Sequence, residues 1–158
     1  MATYVVRAAE KLRRQRQRAA ALTVYTRTSP FIPAFYSQAA STRLDLPSND
    51  TAALLQAALP LVEHIFRPHR QLAKAGVLMQ HLEGIDTLQS HLLVPQTEEQ
   101  QIKRERLMQT IDRINHKYGR NSLQYAACGL TQPWLMKRER LGSHSTTRLD
   151  QIPTVHAR

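Results

Sequence analysis

The chain has 158 residues, 42% of them hydrophobic, with 22 Lys and Arg against 12 Asp and Glu, giving a formal net charge of +10 and a pI of about 10.5. The apolar fraction suffices for a modest core, which excludes a chain disordered throughout, and the charge favours a polyanion such as nucleic acid as partner. No apolar run is long enough to span a bilayer, the start lacks the apolar core of a secretory signal, and a single cysteine, Cys128, excludes an internal disulfide; together these predict a soluble cytoplasmic protein.

The charge is uneven. Residues 1–82 carry 11 basic and 4 acidic side chains, and residues 83–158 carry 11 and 8. From residue 3 to about 17, Val6, Ala9 and Leu12 recur at helical spacing with Arg7, Lys11, Arg14 and Arg18 on another side, which predicts an amphipathic helix with a cationic face. Its apolar side is small and lacks Trp and Phe, which argues against membrane binding. Leu22 to Arg27 alternates, Leu22, Val24 and Thr26 opposing Thr23, Tyr25 and Arg27, and so reads as a half-buried strand. Pro30 and Pro33 make residues 28–34 a turn, after which Ser37 to Leu46 alternates again, with Ala40, Thr42 and Leu44 opposite Ser41 and Arg43.

Ser48, Asn49 and Asp50 offer capping side chains ahead of Leu54, Leu55, Ala58, Val62, Ile65 and Phe66 at helical spacing. Pro60 removes a donor and crowds the Gln56 carbonyl, so a kink or two shorter helices are expected, ending before Pro68. Lys74 to His81 reads as a third strand, buried around Val77 and Met79. Residues 83–96 have no sustained period and contain Gly84 and Pro95, marking a linker. Thr97 to Gln100 fits a capping box, and the helix it opens carries Leu107, Ile111, Ile114 and Tyr118 on one stripe before Gly119. A strand from Leu123 to Ala127, a turn at Gly129 and a strand bearing Trp134 and Met136 are expected to form a hairpin against that stripe.

Arg113 to Arg148, running Arg-Ile-Asn-His-Lys-Tyr-Gly-Arg-Asn-Ser-Leu through Gln-Pro-Trp-Leu-Met-Lys-Arg to Thr-Thr-Arg, resembles the C-terminal extension of UmuC-type Y-family DNA polymerases, the catalytic subunits of SOS error-prone repair. Arg7-Ala-Ala-Glu-Lys-Leu12 resembles the helix opening their little-finger region, Arg27-Thr-Ser-Pro-Phe31 the loop after its next strand, and Lys74-Ala-Gly-Val77 its last strand. The resemblance implies an α+β fold: an incomplete little-finger-like β-α-β-β-α-β unit lacking its first strand, then a helix plus β-hairpin extension. The implied domains are 1–82 for the little-finger-like part, 83–96 for the linker and 97–158 for the extension. If the sheet follows the usual split arrangement, the absent strand is an interior one, so a gap, a marginal fold or an altered pairing is expected.

The family's chemistry resides in a palm whose carboxylates hold two metal ions. Asp45, Asp50, Asp86, Asp112 and Asp150 sit in no palm-like context and read as caps, turns or surface charges. The expectation is a non-catalytic, DNA-binding portion of a translesion polymerase, with no catalytic residues and no cofactor. An independent small basic nucleic-acid-binding or regulatory protein, or a decayed gene product, are the alternatives. Seven histidines lack ligand spacing, so no metal site is expected.

Candidate DNA contacts are the outward Tyr25, Arg27, Ser41 and Arg43, with Lys74 at a strand entrance and Arg13, Arg14 and Arg16 on the first helix. Lys137, Arg138 and Arg140 beside Trp134 form a second basic cluster, with Trp134 read first as a core residue. Where relatives carry a sliding-clamp-binding peptide of the form Gln-Leu-x-Leu-Phe, this chain has Gln89-Ser-His-Leu-Leu93, which matches at Gln89, Leu92 and Leu93, departs at Ser90, and puts leucine in place of the aromatic anchor, a change expected to weaken binding. By the same resemblance, a UmuD-like subunit and the recombinase filament are further partners. Gly142-Ser-His-Ser145 departs from the Ser-Pro-Arg-Tyr of relatives, leaving the role of that loop open.

Overall fold

A computed structural model describes residues 1–85, 98–130, 142, 150 and 152–155. In chain order these include α1 (Ala2–Arg14), β1 (Gln17–Arg27), β2 (Ser37–Ser48), α2 (Thr51–Ile65), β3 (Lys74–Gly84), α3 (Glu98–Tyr118) and a 3-10 turn at Ala126–Cys128. Met1–Cys128 forms one compact unit and Gly129–Arg158 a second.

The first helix buries Ala2, Val5, Ala9 and Leu12, so its apolar side is taken up by the protein's own core. It ends earlier than its sequence period suggests. Arg16 adopts a left-handed φ of 54°, and its N–H bonds to the Arg13 carbonyl at 3.0 Å, turning the chain into β1. Lys11, Arg13 and Arg14 occupy the last turn, where positive charge opposes the negative end of the helix dipole.

The three strands form one antiparallel sheet in the order β2-β1-β3. The gap expected from a missing inner strand is therefore absent, because β1 bonds directly to a neighbour on each side. That central position also explains why β1 is more buried than a half-buried strand should be: Leu22 and Val24 are fully enclosed and even Thr23, on the opposite face, is 8% exposed. Leu22, Ala19 and the apolar positions of α1 and α2 make the core, with Leu44, Val77 and Met79 closing its edges. Helices lie on that one face, leaving the other face of the sheet without a covering helix among the described residues. Thr26 points to the helix side at 2% exposure, and its hydroxyl finds no partner among the described residues.

Asp50 is the N-cap of α2, its carboxylate accepting from the Ala52 N–H at 2.8 Å. The helix runs unbroken through Pro60 instead of dividing there. Gln56 and Pro60 both lie on the exposed side, where water can satisfy the carbonyl that proline leaves unpaired, while Leu54, Leu55, Ala58 and Ile65 anchor the other side. As expected, the helix stops before Pro68.

The last described helix closes at Gly119, whose φ of 101° suits a residue without a Cβ. Its buried side differs from the expected stripe: Leu107 and Tyr118 are exposed, Ile111 and Ile114 are half-buried, and Met108 is the residue enclosed. Tyr125 donates to the Met108 sulfur at 3.5 Å. Burial raises the pKa of the Tyr125 hydroxyl above its ordinary 10.0, opposed by a hydrogen bond with the Thr51 side chain. The strand expected at 123–127 does not form. Asn115 donates to the Leu123 carbonyl at 2.9 Å and accepts from the Leu123 N–H at 2.9 Å, so one side-chain amide takes the place of a strand partner. The second strand of that expected hairpin, with Trp134 and Met136, lies outside the described residues.

What joins the helices is Arg13. Its Nε and Nη2 donate to Asp112 Oδ2 and Oδ1, both at 2.7 Å, and its Nη1 donates to the Asn49 carbonyl at 2.8 Å and Thr51 Oγ1 at 2.9 Å. Asp112 is thus the carboxylate of an ion pair within the fold and more than a cap or surface charge. Arg18 repeats the pattern with Glu105 at 2.7 Å. Arg13→Ala is expected to destabilise the protein by about 2–3 kcal/mol in urea unfolding, because it strands Asp112, while Arg13→Lys recovers less than half of the loss by giving up the planar fork. At the orphaned hydroxyl, Thr26→Val should raise stability by about 1 kcal/mol in the same assay.

Candidate nucleic-acid interface

The side-chain period of two sends alternate residues of each strand to the uncovered face. Register then fixes which of them are neighbours. Four successive rungs across the sheet read Arg43–Ala21–Gln80, Ser41–Thr23–Leu78, Ala39–Tyr25–Gly76 and Ser37–Arg27–Lys74. From the first rung to the last is six residues along β1, roughly 20 Å at 3.4 Å per residue. Arg43 stands at one end of this strip, Arg27 and Lys74 face each other at the other end, and hydroxyl and amide groups lie between.

The middle of the strip is fixed internally. Thr23 Oγ1 lies 2.7 Å from Ser41 Oγ and donates to Gln80 Oε1 at 2.8 Å. Beside it the Tyr25 ring lies directly over Gly76, so close that a Cβ there would come 2.5 Å from the tyrosine oxygen. Glycine at this position lets the aromatic ring lie flat across two strands. The charged ends are different: among the described residues Arg27, Arg43 and Lys74 have no carboxylate partner, and the four rungs contain no Asp or Glu. Asp45 follows in the stretch of β2 where the register is irregular. A pair of like charges directly opposite one another, such as Arg27 and Lys74, weakens a sheet unless an anion lies between them.

Of the residues picked out from sequence, Tyr25, Arg27, Ser41, Arg43 and Lys74 therefore share one face. Arg13 has its guanidinium turned to Asp112, Asn49 and Thr51. Arg14 and Arg16 are exposed at the end of α1, whose core face packs on the other side of the sheet. Gln89, Leu92 and Leu93, and the cluster of Trp134, Lys137, Arg138 and Arg140, lie outside the described residues. Sequence reasoning missed Gln80, which continues the Thr23 and Ser41 hydrogen bonds onto β3; its place two residues beyond Leu78, on the same strand parity, was the available signal.

A groove of about 320 Å³ on the helix side is lined by Asp50, Gln56, Arg104, Leu107, Met108 and Tyr125 among others. Its two carboxylate and phenol groups are already engaged, Asp50 as the α2 cap and Tyr125 at Met108 and Thr51. Among the described residues no three His, Cys, Asp or Glu converge to hold a metal ion, and no helix is long and apolar enough to cross a membrane.

Residues 1–92 match the family model of the impB/mucB/samB family C-terminal domain, and residues 105–155 match a domain of unknown function (DUF4113). Among curated relatives, the chain is 36% identical over 154 residues to protein ImpB of Salmonella typhimurium, covering 95% of this chain and 35% of that protein. It is 31% identical over 155 residues to protein UmuC of the same species, strain LT2, covering 97% of this chain and 36% of UmuC, and 36% identical over 152 residues to its protein SamB, at 94% and 35%. The chain thus spans about a third of the length of the relatives it matches.

The facing cations make a test of the interface that needs no ligand. Lys74→Ala should raise Tm by about 1–3 °C in low salt, an increase that shrinks in 0.5 M salt, as measured by calorimetry.

Proposed function

Since this chain belongs to the impB/mucB/samB family, in the region of its C-terminal domain, we propose that the uncovered sheet face grips duplex DNA by its phosphates, as the template-holding part of a UmuC-like translesion polymerase. The observation that carries this reading is the strip of Arg27, Arg43 and Lys74, with no carboxylate partner among the described residues, laid along roughly 20 Å of sheet. At a rise of about 3.4 Å per base pair that length matches roughly six base pairs. Phosphate contacts position a protein without reading bases, which suits a part that must travel over any template. Between the charges the Gln80 amide N–H group remains as a neutral donor, since the Thr23 and Ser41 hydroxyl protons are used within the sheet, and the Tyr25 ring offers a flat apolar surface at the centre.

These 158 residues, in this reading, supply grip and not bond formation. The carboxylates with assigned places do other work: Asp50 caps α2, and Asp112 and Glu105 hold arginines. The segment with Gln89, Leu92 and Leu93 is the part we assign to the sliding clamp. It follows β3 in the chain and presents a glutamine amide and two leucines at the spacing such peptides use. A UmuD-like subunit and the recombinase filament are further partners by family membership.

Fluorescence anisotropy with a duplex probe tests the reading. Three to four neutralised phosphates predict that affinity falls about 40- to 150-fold between 50 and 200 mM salt, and that Lys74→Ala or Arg43→Ala each lowers the salt slope by about one. Affinity indifferent to salt, or unchanged in both variants, rejects the sheet face as the interface. Primer elongation by the same preparation would reject the division between grip and chemistry.

A further inference from the structure

The connection between β1 and β2 is unlike a solvated loop. Phe31 is 94% exposed, Phe35 54% and Ile32 38%, with Pro30 before them and Pro33 among them also on the surface. Flexible loops would fold such phenyl groups back onto the protein. This one is held open at its base: the Thr28 N–H donates to the Tyr36 carbonyl at 2.9 Å, the Tyr36 N–H donates to Thr28 Oγ1 at 2.9 Å, and the Tyr36 hydroxyl donates to the Ile65 carbonyl at 3.0 Å. The turn after α2 brings one cation, Arg70, against this loop, with Arg67 three residues before it. Arg70 lies 5.2 Å from the centre of the Tyr36 ring and donates to the Ala34 carbonyl at 3.3 Å, and Arg67 is braced on the carbonyls of His64 and Phe66, both at 3.1 Å.

We propose that Phe31 and Phe35, flanked by Arg67 and Arg70, form a stacking site for unpaired nucleotides beside the duplex held by the sheet. The inference rests on that duplex reading for its location, since the loop leaves the sheet at Arg27 and returns at Ser37, the two members of the rung that also holds Lys74. The chemistry favours an unpaired base. A phenyl ring has no polar tip and needs a flat apolar partner, bases within a duplex have their faces covered by stacking, and a splayed base brings a phosphate that the two arginines can meet. Sequence-tolerant stacking also fits a contact without any hydrogen-bonding side chain at its tip.

The test uses the full 158-residue chain and two probes, a blunt duplex and the same duplex with a five-nucleotide single-stranded overhang carrying 2-aminopurine. Wild type is expected to bind the overhang probe about 10-fold more tightly than the blunt one and to quench the 2-aminopurine. The double variant Phe31→Ala/Phe35→Ala should lose both effects and keep its blunt-duplex affinity, whereas Phe31→Tyr/Phe35→Tyr should retain both. Equal binding of the two probes by wild type, or an overhang increment that survives the alanines, overturns the stacking site even if duplex binding stands. Blunt-duplex binding that is absent, with a phenylalanine-dependent overhang affinity still present, sinks the sheet reading and leaves the tip. A 10-fold preference for an acidic, leucine-rich peptide over the overhang, abolished by the same alanines, assigns the tip to a protein partner and overturns the proposal.

Discussion

The guanidinium of Arg13 is where three separate parts of the chain meet. Its plane gives two parallel bonds to Asp112 on α3 and turns a third edge to the start of α2 at Asn49 and Thr51. The end of α1 is thereby locked in position, and with it the left-handed turn at Arg16 that launches β1. The contribution of such a group comes less from its net attraction than from what is left without it, because Asp112 and the Asn49 carbonyl would face a partly closed site with no donor. Its side chain is 11% exposed and that of Asp112 is 30%, so solvent moderates the pair without removing its geometric demand.

With the helices tied on one side, the two faces of β1 are free to do different work. Leu22 packs in the core with α1 and α2, and Val24 on the same side is fully buried. Thr23, Tyr25 and Arg27, one residue out of phase, look away from the helices onto the uncovered face of the sheet. That surface keeps cations facing one another at its end, a local departure from what would best stabilise a sheet. In the function we propose, this is the place where binding and folding disagree.

The family relationship and the physical reading support each other without overlapping. Similarity to ImpB, UmuC and SamB covers almost all of this chain and about a third of each relative. It says which protein family the chain sits in, but nothing about which face meets a ligand. Strand register adds that Arg27, Arg43 and Lys74 share one sheet face, while Arg13 and Arg18 are turned to carboxylates within the fold.

Local order was legible in the sequence. Alternation located the first two strands, the buried run around Val77 and Met79 the third, the Ser48, Asn49 and Asp50 run announced a helix start, Gly119 a helix end, and the outward set of Tyr25, Arg27, Ser41 and Arg43 followed from period two alone. These features depend on residues a few positions apart, where side-chain direction is set by backbone geometry. Harder features involve distant partners. Arg13 and Asp112 are 99 residues apart, and a basic side chain on an amphipathic helix looks the same whether it will meet a phosphate or a carboxylate. The Leu123 segment has strand-like composition, yet Asn115 satisfies its backbone from a neighbouring helix end. The adjacency of β1 and β3, and hence of Arg27 and Lys74, exists only once helices have covered one face and the strands have paired. The sequence by itself determined which way each side chain would point within its own element; tertiary packing alone decided which charges found partners, because opposite charges close by contact and not by order along the chain.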